Sequence, residues 1–224
     1  MQAGEFEIFE TRERVLADNA AEAQNVRELL GDAFLVNLMG SPGAGKTSVI
    51  LRIMENLGTR YRIGVMEADV DSDVDAKTVA ATGAKVIQLH TGGLCHMDAD
   101  MTRRGLERMG VDGLDLVILE NIGNLVCPAE FEVGADLRVM ILSVPEGDDK
   151  PLKYPLMFQI SDCLLVNKMD TAPVFDFDLG AMTERVKKLN PDIQLFPVSA
   201  ARGEGFDAFT EWLAGRIGER RAKV

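Results

Sequence analysis

A phosphate-binding site is indicated by the segment GSPGAGKT at residues 40–47, which has the spacing G-x-x-x-x-G-K-[ST]. Glycines let the backbone curl so that successive N–H groups point at phosphate oxygens, and a helix that follows presents its positive N-terminal end to the same anion. The Lys46 ammonium would reach the β- and γ-phosphates of a nucleoside triphosphate, and the Thr47 hydroxyl would bind its Mg²⁺. The residues predicted to contact the nucleotide here are Gly40, Ser41, Gly43, Ala44, Gly45, Lys46, Thr47 and Ser48.

The segment NKMD is predicted to bind the base of the nucleotide. It follows the apolar run DCLLV and supplies Asn167, Lys168 and Asp170. A carboxylate at this strand end can accept from both N1–H and the 2-amino group of guanine, whereas adenine has an acceptor at N1 and no amino group at C2. This favours GTP over ATP, although a polar turn at a strand end is the alternative for so short a match. The segment VSAARGEG places Ser199 and Ala200 where a backbone N–H can meet the guanine O6.

Acidic residues that follow apolar runs are candidates for the magnesium site. Glu120 ends the run LDLVILE, whereas Asp115 begins it and so lies at the opposite end of the strand. The segment EADVDSDVDAK contributes Asp69 and Asp75, whose alternative is a solvated acidic loop. Thr47, Asp69, Asp75 and Glu120 are therefore the predicted ligands of Mg²⁺.

The predicted reaction is the hydrolysis of GTP. In-line attack of water on the γ-phosphate depends on charge neutralisation more than on a strong base. We therefore assign the catalytic roles to Lys46, Thr47 and Glu120, and we expect the reaction to be slow.

Soft metal ligands occur in two further segments, since GGLCHMDAD contains Cys95 beside His96 and NLVCPAE contains Cys127. Both segments are loops at strand ends and can converge in space. Two thiolates and an imidazole suit Zn²⁺ or Ni²⁺ and suit Mg²⁺ or Ca²⁺ poorly. The alternative is that the cysteines are small buried apolar residues. Cys163 belongs to an apolar strand and is assigned to the core, and His90 has no partner in view.

The nucleotide and metal sites are linked by one short segment. Gly123 and Cys127 are four residues apart, so no more than about 14 Å of extended chain separates them. A backbone shift that follows the γ-phosphate near Gly123 would displace the Cys127 ligand. Hydrolysis is therefore predicted to alter the metal site.

The elements that position these residues follow from hydrophobic patterning. Seven apolar runs alternate with helical stretches, and they read AFLVNLM, RIGVMEA, AKVIQLH, LDLVILE, LRVMILSV, DCLLVNK and IQLFPVS. Such runs predict an α/β fold of the P-loop NTPase type, with a mostly parallel central sheet and helices on both faces. Apolar positions at helical spacing from about Glu10 to Leu30 predict an N-terminal helix outside the sheet. We therefore expect an N-terminal helical extension over residues 1–32 and a P-loop GTPase domain over residues 33–224.

The composition excludes several classes of protein. The chain has 24 basic and 36 acidic residues, a formal charge of −12 and a pI near 4.7. This acidic balance argues against nucleic acid or an anionic membrane as a partner, because both require a basic face. The absence of an apolar run of 18 residues argues against a membrane span, and the acidic opening MQAGEFEIFE argues against a secretory signal. A cytoplasmic protein is expected, in which three cysteines act as thiols or metal ligands.

A resemblance adds to these inferences. Five segments of the chain are, in order, GSPGAGKT, GLCHMDAD, ENIGNLVCPAEF, EGDDKPLKYP and NKMD. Together they resemble the HypB family of GTPases, which deliver nickel to [NiFe] hydrogenase during its maturation, and the likeness covers Phe34 to Trp212. The resemblance implies that Cys95, His96 and Cys127 are the metal ligands.

The same resemblance implies partners as well as cofactors. It implies GTP or GDP with Mg²⁺ in the phosphate loop, Ni²⁺ or Zn²⁺ on the Cys/His ligands, and a GTP-dependent homodimer in which Lys153 contacts the nucleotide of the partner subunit. It also implies a HypA-like nickel chaperone and a hydrogenase large-subunit precursor as partners. One departure is that residues 1–33 contain neither Cys nor His, whereas many relatives have an N-terminal nickel-binding motif.

Three other functions are weighed against this one. A urease-accessory nickel GTPase would carry a Cys-Pro-His motif, and Ala129 stands here where the histidine would be. A zinc-binding adaptor would use its nucleotide state only to control assembly. A P-loop kinase is disfavoured by the NKMD segment.

Overall fold

A single seven-stranded sheet forms the centre of the protein, which is described by a computed structural model over residues 11–69 and 74–222, without the side chains of residues 11–15, 74 and 75. The strands are β1 Phe34–Gly40, β2 Ile63–Asp69, β3 Lys85–His90, β4 Leu116–Glu120, β5 Leu137–Ser143, β6 Cys163–Asn167 and β7 Gln194–Pro197. Their spatial order is β3-β2-β4-β1-β5-β6-β7, and the neighbouring strands are parallel. The predicted α/β fold is confirmed.

Helices cover both faces of the sheet. They are α1 Thr11–Leu30, α2 Lys46–Leu57, α3 Val74–Ala80, α4 Ala99–Met109, α5 Cys127–Glu130, α6 Lys150–Lys153, α7 Pro155–Ile160, α8 Leu179–Leu189 and α9 Phe206–Arg221. Apolar side chains of α2 and α9 pack on one face, and those of α1, α4, α7 and α8 pack on the other. Because both faces are covered, β1 is buried along its whole length, which explains its continuous apolar run.

The N-terminal helix α1 packs on α4. Ala23, Val26 and Leu30 are buried in the same apolar cluster as Leu35 of β1 and Leu106 of α4. The helix is therefore held against the sheet by its apolar side, while the division of the chain into an extension and a GTPase domain stays a prediction. Within the described ranges, no helix is both long enough and apolar enough to cross a membrane.

The carboxyl ends of the parallel strands meet at one edge of the sheet. Gly40 ends β1, Glu120 ends β4, Asp69 ends β2 and Asn167 ends β6. Open α/β sheets bind their ligands at this edge. The topology therefore places the predicted phosphate, magnesium and base-binding residues on the same side of the molecule, while Asp115 precedes β4 at the opposite edge.

At that opposite edge, Asp115 connects the start of β4 with Arg62 before β2 and Arg221 of α9. Its Oδ2 accepts from the Arg62 backbone N–H at 2.7 Å and from Arg62 Nε at 3.1 Å, and its Oδ1 accepts from the Arg221 guanidinium. The Arg62 hydrogen bonds hold the pKa of the Asp115 carboxyl well below its ordinary range. A depressed carboxyl pKa stabilises the fold above the unfolded-state pKa of about 4, and this contribution is lost as the pH falls below that value.

We predict that Asp115→Asn lowers the free energy of unfolding by about 1–2 kcal/mol at pH 7, because a charged acceptor is replaced by a neutral one and the exposed Arg62 side chain limits the effect. Urea unfolding of both chains is measured between pH 7 and pH 3.5. The variant and the parent chain should differ less in free energy of unfolding as the pH falls. The exposed Asp192, changed to Asn, is the matched control. A difference that is the same at both pH values would show that the carboxylate charge is not its cause.

Candidate functional site

The phosphate loop joins β1 to α2 and depends on glycine at two positions. Gly43 has φ +74° and Gly45 has φ +95°, a left-handed backbone that side chains with a Cβ rarely adopt. A Cβ at Gly45 would also lie 2.6 Å from Asn167 Nδ2. The loop can therefore approach the base motif only because position 45 has no side chain, and α2 begins directly afterwards at Lys46.

The three predicted catalytic side chains meet at the end of the phosphate loop. The Thr47 hydroxyl lies 3.3 and 3.2 Å from the two Glu120 carboxylate oxygens, and Lys46 Nζ lies 3.9 Å from Glu120 Oε1. Lys46 and Glu120 are both buried. A hydroxyl and a carboxylate at this separation are the oxygen donors that Mg²⁺ prefers, beside an ammonium suited to phosphate.

These side chains line a cleft of about 590 Å³, which is large enough for a small ligand. The cleft is lined by Pro42, Gly43, Gly45, Lys46, Thr47, Ser48, Ala68, Asp69, Glu120, Asn121, Ile122, Gly123 and Lys168. Asp69 therefore shares the cleft with Thr47 and Glu120, and its role as a magnesium ligand stays a prediction. The Asp75 side chain, the other candidate, lies outside the described residues.

The base motif is attached to the phosphate loop by hydrogen bonds. Asn167 Nδ2 donates to the Ala44 carbonyl at 2.9 Å, and Lys168 Nζ donates to the Gly43 carbonyl at 2.7 Å. Lys168 takes a left-handed backbone conformation with φ +60° to make this turn. The NKMD segment is therefore predicted to bind the base, and two of its residues also hold the phosphate loop in place.

The remaining base-binding candidates also lie together. Asp170 Oδ1 accepts from the Ser199 hydroxyl at 2.6 Å, which orients the carboxylate. The Ala200 N–H, predicted to meet the guanine O6, instead donates to Asn167 Oδ1 at 3.0 Å, and the Ser199 N–H donates to the Glu204 carbonyl. A contact with guanine O6 would require the Ala200 N–H to share or exchange its present partner, and this contact stays a prediction.

The three predicted soft-metal ligands form one cluster. The Sγ atoms of Cys95 and Cys127 are 2.9 Å apart, and Cys95 Sγ is 3.8 Å from His96 Nδ1. One donor atom from each residue lies within 4.8 Å of the others. A tetrahedral ion with metal–sulfur bonds of about 2.3 Å separates two thiolates by about 3.8 Å, so the sulfurs need to part by less than about 1 Å to hold it.

The surroundings of the cluster shift the pKa values of His96 and Cys127 in opposite senses for metal binding. The His96 ring stacks on Phe131, with ring centroids 3.9 Å apart. Burial lowers the pKa of His96 against the opposing effect of nearby Asp98 and Glu130, which favours the neutral imidazole that metals require. The hydrogen bond with Cys95, together with burial, raises the pKa of the Cys127 thiol, so a bound cation would have to displace its proton.

The segment between Glu120 and Cys127 contacts both sites, through residues that the sequence did not single out as ligands. Gly123 packs against Pro42 of the phosphate loop, and the Asn124 N–H donates to the Gly40 carbonyl at 3.1 Å. The Asn121 side chain, fully buried, accepts from the Met97 N–H at 3.2 Å, next to the His96 ligand. The signal available in the sequence was the pair of asparagines, Asn121 and Asn124, between Glu120 and Cys127.

Lys153 lies apart from the cleft of its own chain. It ends α6, it is exposed, and its Nζ pairs with Asp149 Oδ2 at 2.5 Å. The predicted contact of Lys153 with the nucleotide of a partner subunit is not tested by this arrangement and stays a prediction.

Known protein families give matches over most of the chain. The model of the CobW/HypB/UreG nucleotide-binding domain matches residues 34–197. The hydrogenase maturation factor HypB of Azotobacter vinelandii is 43% identical over 223 residues, covering 98% of this chain and 71% of the relative. The HypB of Escherichia coli K12 is 37% identical over 209 residues, covering 93% and 70%.

Solved structures agree with these matches. HypB from Archaeoglobus fulgidus superposes with a TM-score of 0.84 at 36% identity, covering 90% of this chain and all of that one. HypB from Helicobacter pylori, solved in complex with nickel, superposes with a TM-score of 0.84 at 33% identity, covering 91% and 97%.

We predict that Gly123→Ala weakens GTP binding about tenfold, or about 1.4 kcal/mol. A Cβ added at Gly123 would lie 2.9 Å from the Pro42 backbone nitrogen and 3.0 Å from its Cα, so one of the two loops has to move. Calorimetric titration with GTP measures the effect. Gly215→Ala in α9, where a Cβ meets nothing within 4 Å, is the control. Unchanged affinity for Gly123→Ala would show that GTP binding does not need this approach of the loops.

We predict that Cys127→Ser weakens Ni²⁺ and Zn²⁺ binding at least tenfold more than it weakens GTP binding, because thiolate is the softer ligand. Competition against a chromophoric chelator gives the metal affinities. Cys163→Ala is the matched control, since Cys163 is buried in β6 away from the cluster. Equal metal affinity for Cys127→Ser and the parent chain would remove Cys127 from the site.

Proposed function

The chain belongs to the HypB hydrogenase maturation factors, within the CobW/HypB/UreG nucleotide-binding domains, and on that premise we propose that it is a GTP-hydrolysing metallochaperone for nickel. The family resemblance inferred from the sequence is thereby confirmed. The nucleotide preference, the metal and the coupling between them are the proposed part. Each is supported by a separate set of contacts.

GTP is the proposed nucleotide, and its hydrolysis is proposed to be slow. Asp170 carries the carboxylate suited to guanine, and its hydrogen bond from Ser199 fixes the orientation of that carboxylate. Lys46, Thr47 and Glu120 supply charge neutralisation and the Mg²⁺ donors that phosphoryl transfer needs.

Nickel is the proposed cargo, carried by Cys95, His96 and Cys127. The two sulfurs and one imidazole nitrogen already lie close enough to share one ion, and this donor set accepts Ni²⁺ as well as Zn²⁺. The Helicobacter pylori relative whose structure was solved with nickel supports the first of these ions. Zn²⁺ is retained as the alternative ion at the same ligands.

Coupling between the two sites is the central proposal, and one observation carries it. The seven residues that follow Glu120 contain Gly123, which packs on the phosphate loop, and Cys127, which belongs to the metal cluster. A change at the γ-phosphate is therefore transmitted to the metal through a segment too short to absorb it. Hydrolysis of GTP would then change how tightly the cargo is held.

Dimerisation and partner proteins complete the proposal. A GTP-dependent homodimer would bring Lys153 to the nucleotide of the partner subunit, and Leu152 and Leu156 beside it are 66% and 42% exposed, as apolar residues of an interface would be. A HypA-like nickel chaperone and a hydrogenase large-subunit precursor are the proposed partners in the transfer, with the cytoplasm as its location.

The competing functions make different demands. The urease-accessory type would require a histidine where Ala129 stands, and the Azotobacter and Escherichia coli relatives are named hydrogenase maturation factors. The zinc adaptor would require that nucleotide state and metal affinity be independent.

The deciding experiment is to titrate the purified chain with Ni²⁺ and Zn²⁺ in its GDP state and in the state with a non-hydrolysable GTP analogue, with Mg²⁺ present. We expect metal dissociation constants that differ by about fivefold or more between the two states, as is typical of coupled sites. Light scattering on the same samples should show dimers in the GTP-analogue state. ADP and an ATP analogue serve as controls. Equal metal affinity in the two guanine-nucleotide states would favour the adaptor.

A further inference from the structure

We propose that Asn124 is the positioning residue through which the phosphate loop and the metal cluster act on each other. This inference rests on the proposed function, because it names the residue that would transmit the coupling. Asn124 is neither a metal ligand nor a lining residue of the nucleotide cleft, but it is hydrogen-bonded to the elements that carry both.

The backbone of Asn124 is attached to the phosphate loop. Its N–H donates to the Gly40 carbonyl at 3.1 Å, and the two residues form an isolated antiparallel bridge. Gly40 is the first residue of the loop, and it is closely packed, since a Cβ there would lie 2.7 Å from the Ile141 carbonyl oxygen. A displacement of the loop at Gly40 is therefore passed to Asn124 through a direct hydrogen bond.

The side chain of Asn124 is attached to both ligand loops. Its Nδ2 donates to the Cys95 carbonyl at 3.2 Å, and its Oδ1 accepts from the Val126 N–H at 2.8 Å. One amide thus connects the backbone of the first cysteine with the residue before Cys127. Moving Asn124 changes the distance between the two thiols or their orientation.

An asparagine is the side chain that this position demands. It offers a donor and an acceptor at short reach at the same time, whereas an aspartate in its place would offer acceptors alone and a serine hydroxyl would be too short for both partners. Asn121, the other amide in this segment, differs in role. It is buried, and its side chain is hydrogen-bonded to the Met97 N–H and to the Asn37 side chain of β1.

The test compares the parent chain with Asn124→Ser and Asn124→Asp. Metal dissociation constants for Ni²⁺ are measured in the GDP and GTP-analogue states, and the readout is the ratio of the two constants. If the parent ratio is about tenfold, within the range common for coupled sites, we expect Asn124→Ser to bring it within about twofold of one. A merely structural role would weaken metal binding equally in both states and leave the ratio unchanged.

Asn124→Asp tests the hydrogen bond to the Cys95 carbonyl separately from the hydrogen bond to the Val126 N–H. It keeps an acceptor for the Val126 N–H, replaces the donor that faces the Cys95 carbonyl and adds a negative charge. We expect tighter Ni²⁺ binding in both states, because of the charge, with the ratio still close to one. Asn25→Ser, at an exposed asparagine of α1, is the control and should keep the parent ratio.

The outcomes distinguish this inference from the function on which it rests. A parent ratio of one overturns both the coupling and the role of Asn124. A parent ratio well above one that persists in Asn124→Ser or in Asn124→Asp overturns the role of Asn124 alone and leaves the proposed function standing. A ratio of Ni²⁺ dissociation constants close to one in both Asn124 variants, with the parent ratio kept in Asn25→Ser, supports the inference.

Discussion

The adjacency of β1 and β4 is the constraint on which both sites depend. The two strands pair in parallel, so the residues that follow them leave the sheet side by side. The segment after β1 becomes the phosphate loop, and the segment after β4 runs along that loop before it reaches Cys127. The pairing of Leu38 with Glu120 then determines which residue of β4 faces the N-terminal end of α2, where Thr47 lies. A slip in that register would separate Thr47 from Glu120, the predicted magnesium donors, and would also displace Cys127.

The end of β4 carries a buried charge, Glu120, next to the Lys46 ammonium. Lys46 and Glu120 are buried together, and each charge loses hydration that the other only partly replaces. In the proposed function, a triphosphate with Mg²⁺ would bring strong charges of both signs to the same place, so the ammonium would turn to phosphate and the carboxylate would turn to the cation. The Glu120 carboxylate would then exchange its present partners, Thr47 and Lys46, for the cation when the nucleotide and Mg²⁺ bind. Because the segment that follows is short, this exchange is the natural origin of any signal to the metal cluster.

The sequence predicted those parts of the molecule whose causes are local. The seven strands follow from mainly apolar runs, and the phosphate loop follows from glycines whose left-handed backbone the structure shows at Gly43 and Gly45. The grouping of Cys95 with Cys127 followed from the rule that parallel strands end at one edge. The contacts of Asn124, the stacking of Phe131 on His96 and the use of the Ala200 N–H by Asn167 could not be predicted, because each depends on distances between segments far apart in the chain.

The two candidate sites differ in how far their residues are exposed. Several predicted nucleotide residues are buried, and Asn167 holds the phosphate loop by a hydrogen bond, which restricts the movement of the loop. The candidate metal cluster is open, since Cys95 is exposed, and three protein ligands would leave a fourth tetrahedral position available. If the cluster holds the proposed cargo, a partner could bind the ion through its own ligand before any ligand of this chain has to leave. By linkage, whatever change in metal affinity the nucleotide causes must be matched by an equal change in nucleotide affinity caused by the metal, so cargo release and nucleotide exchange constrain each other.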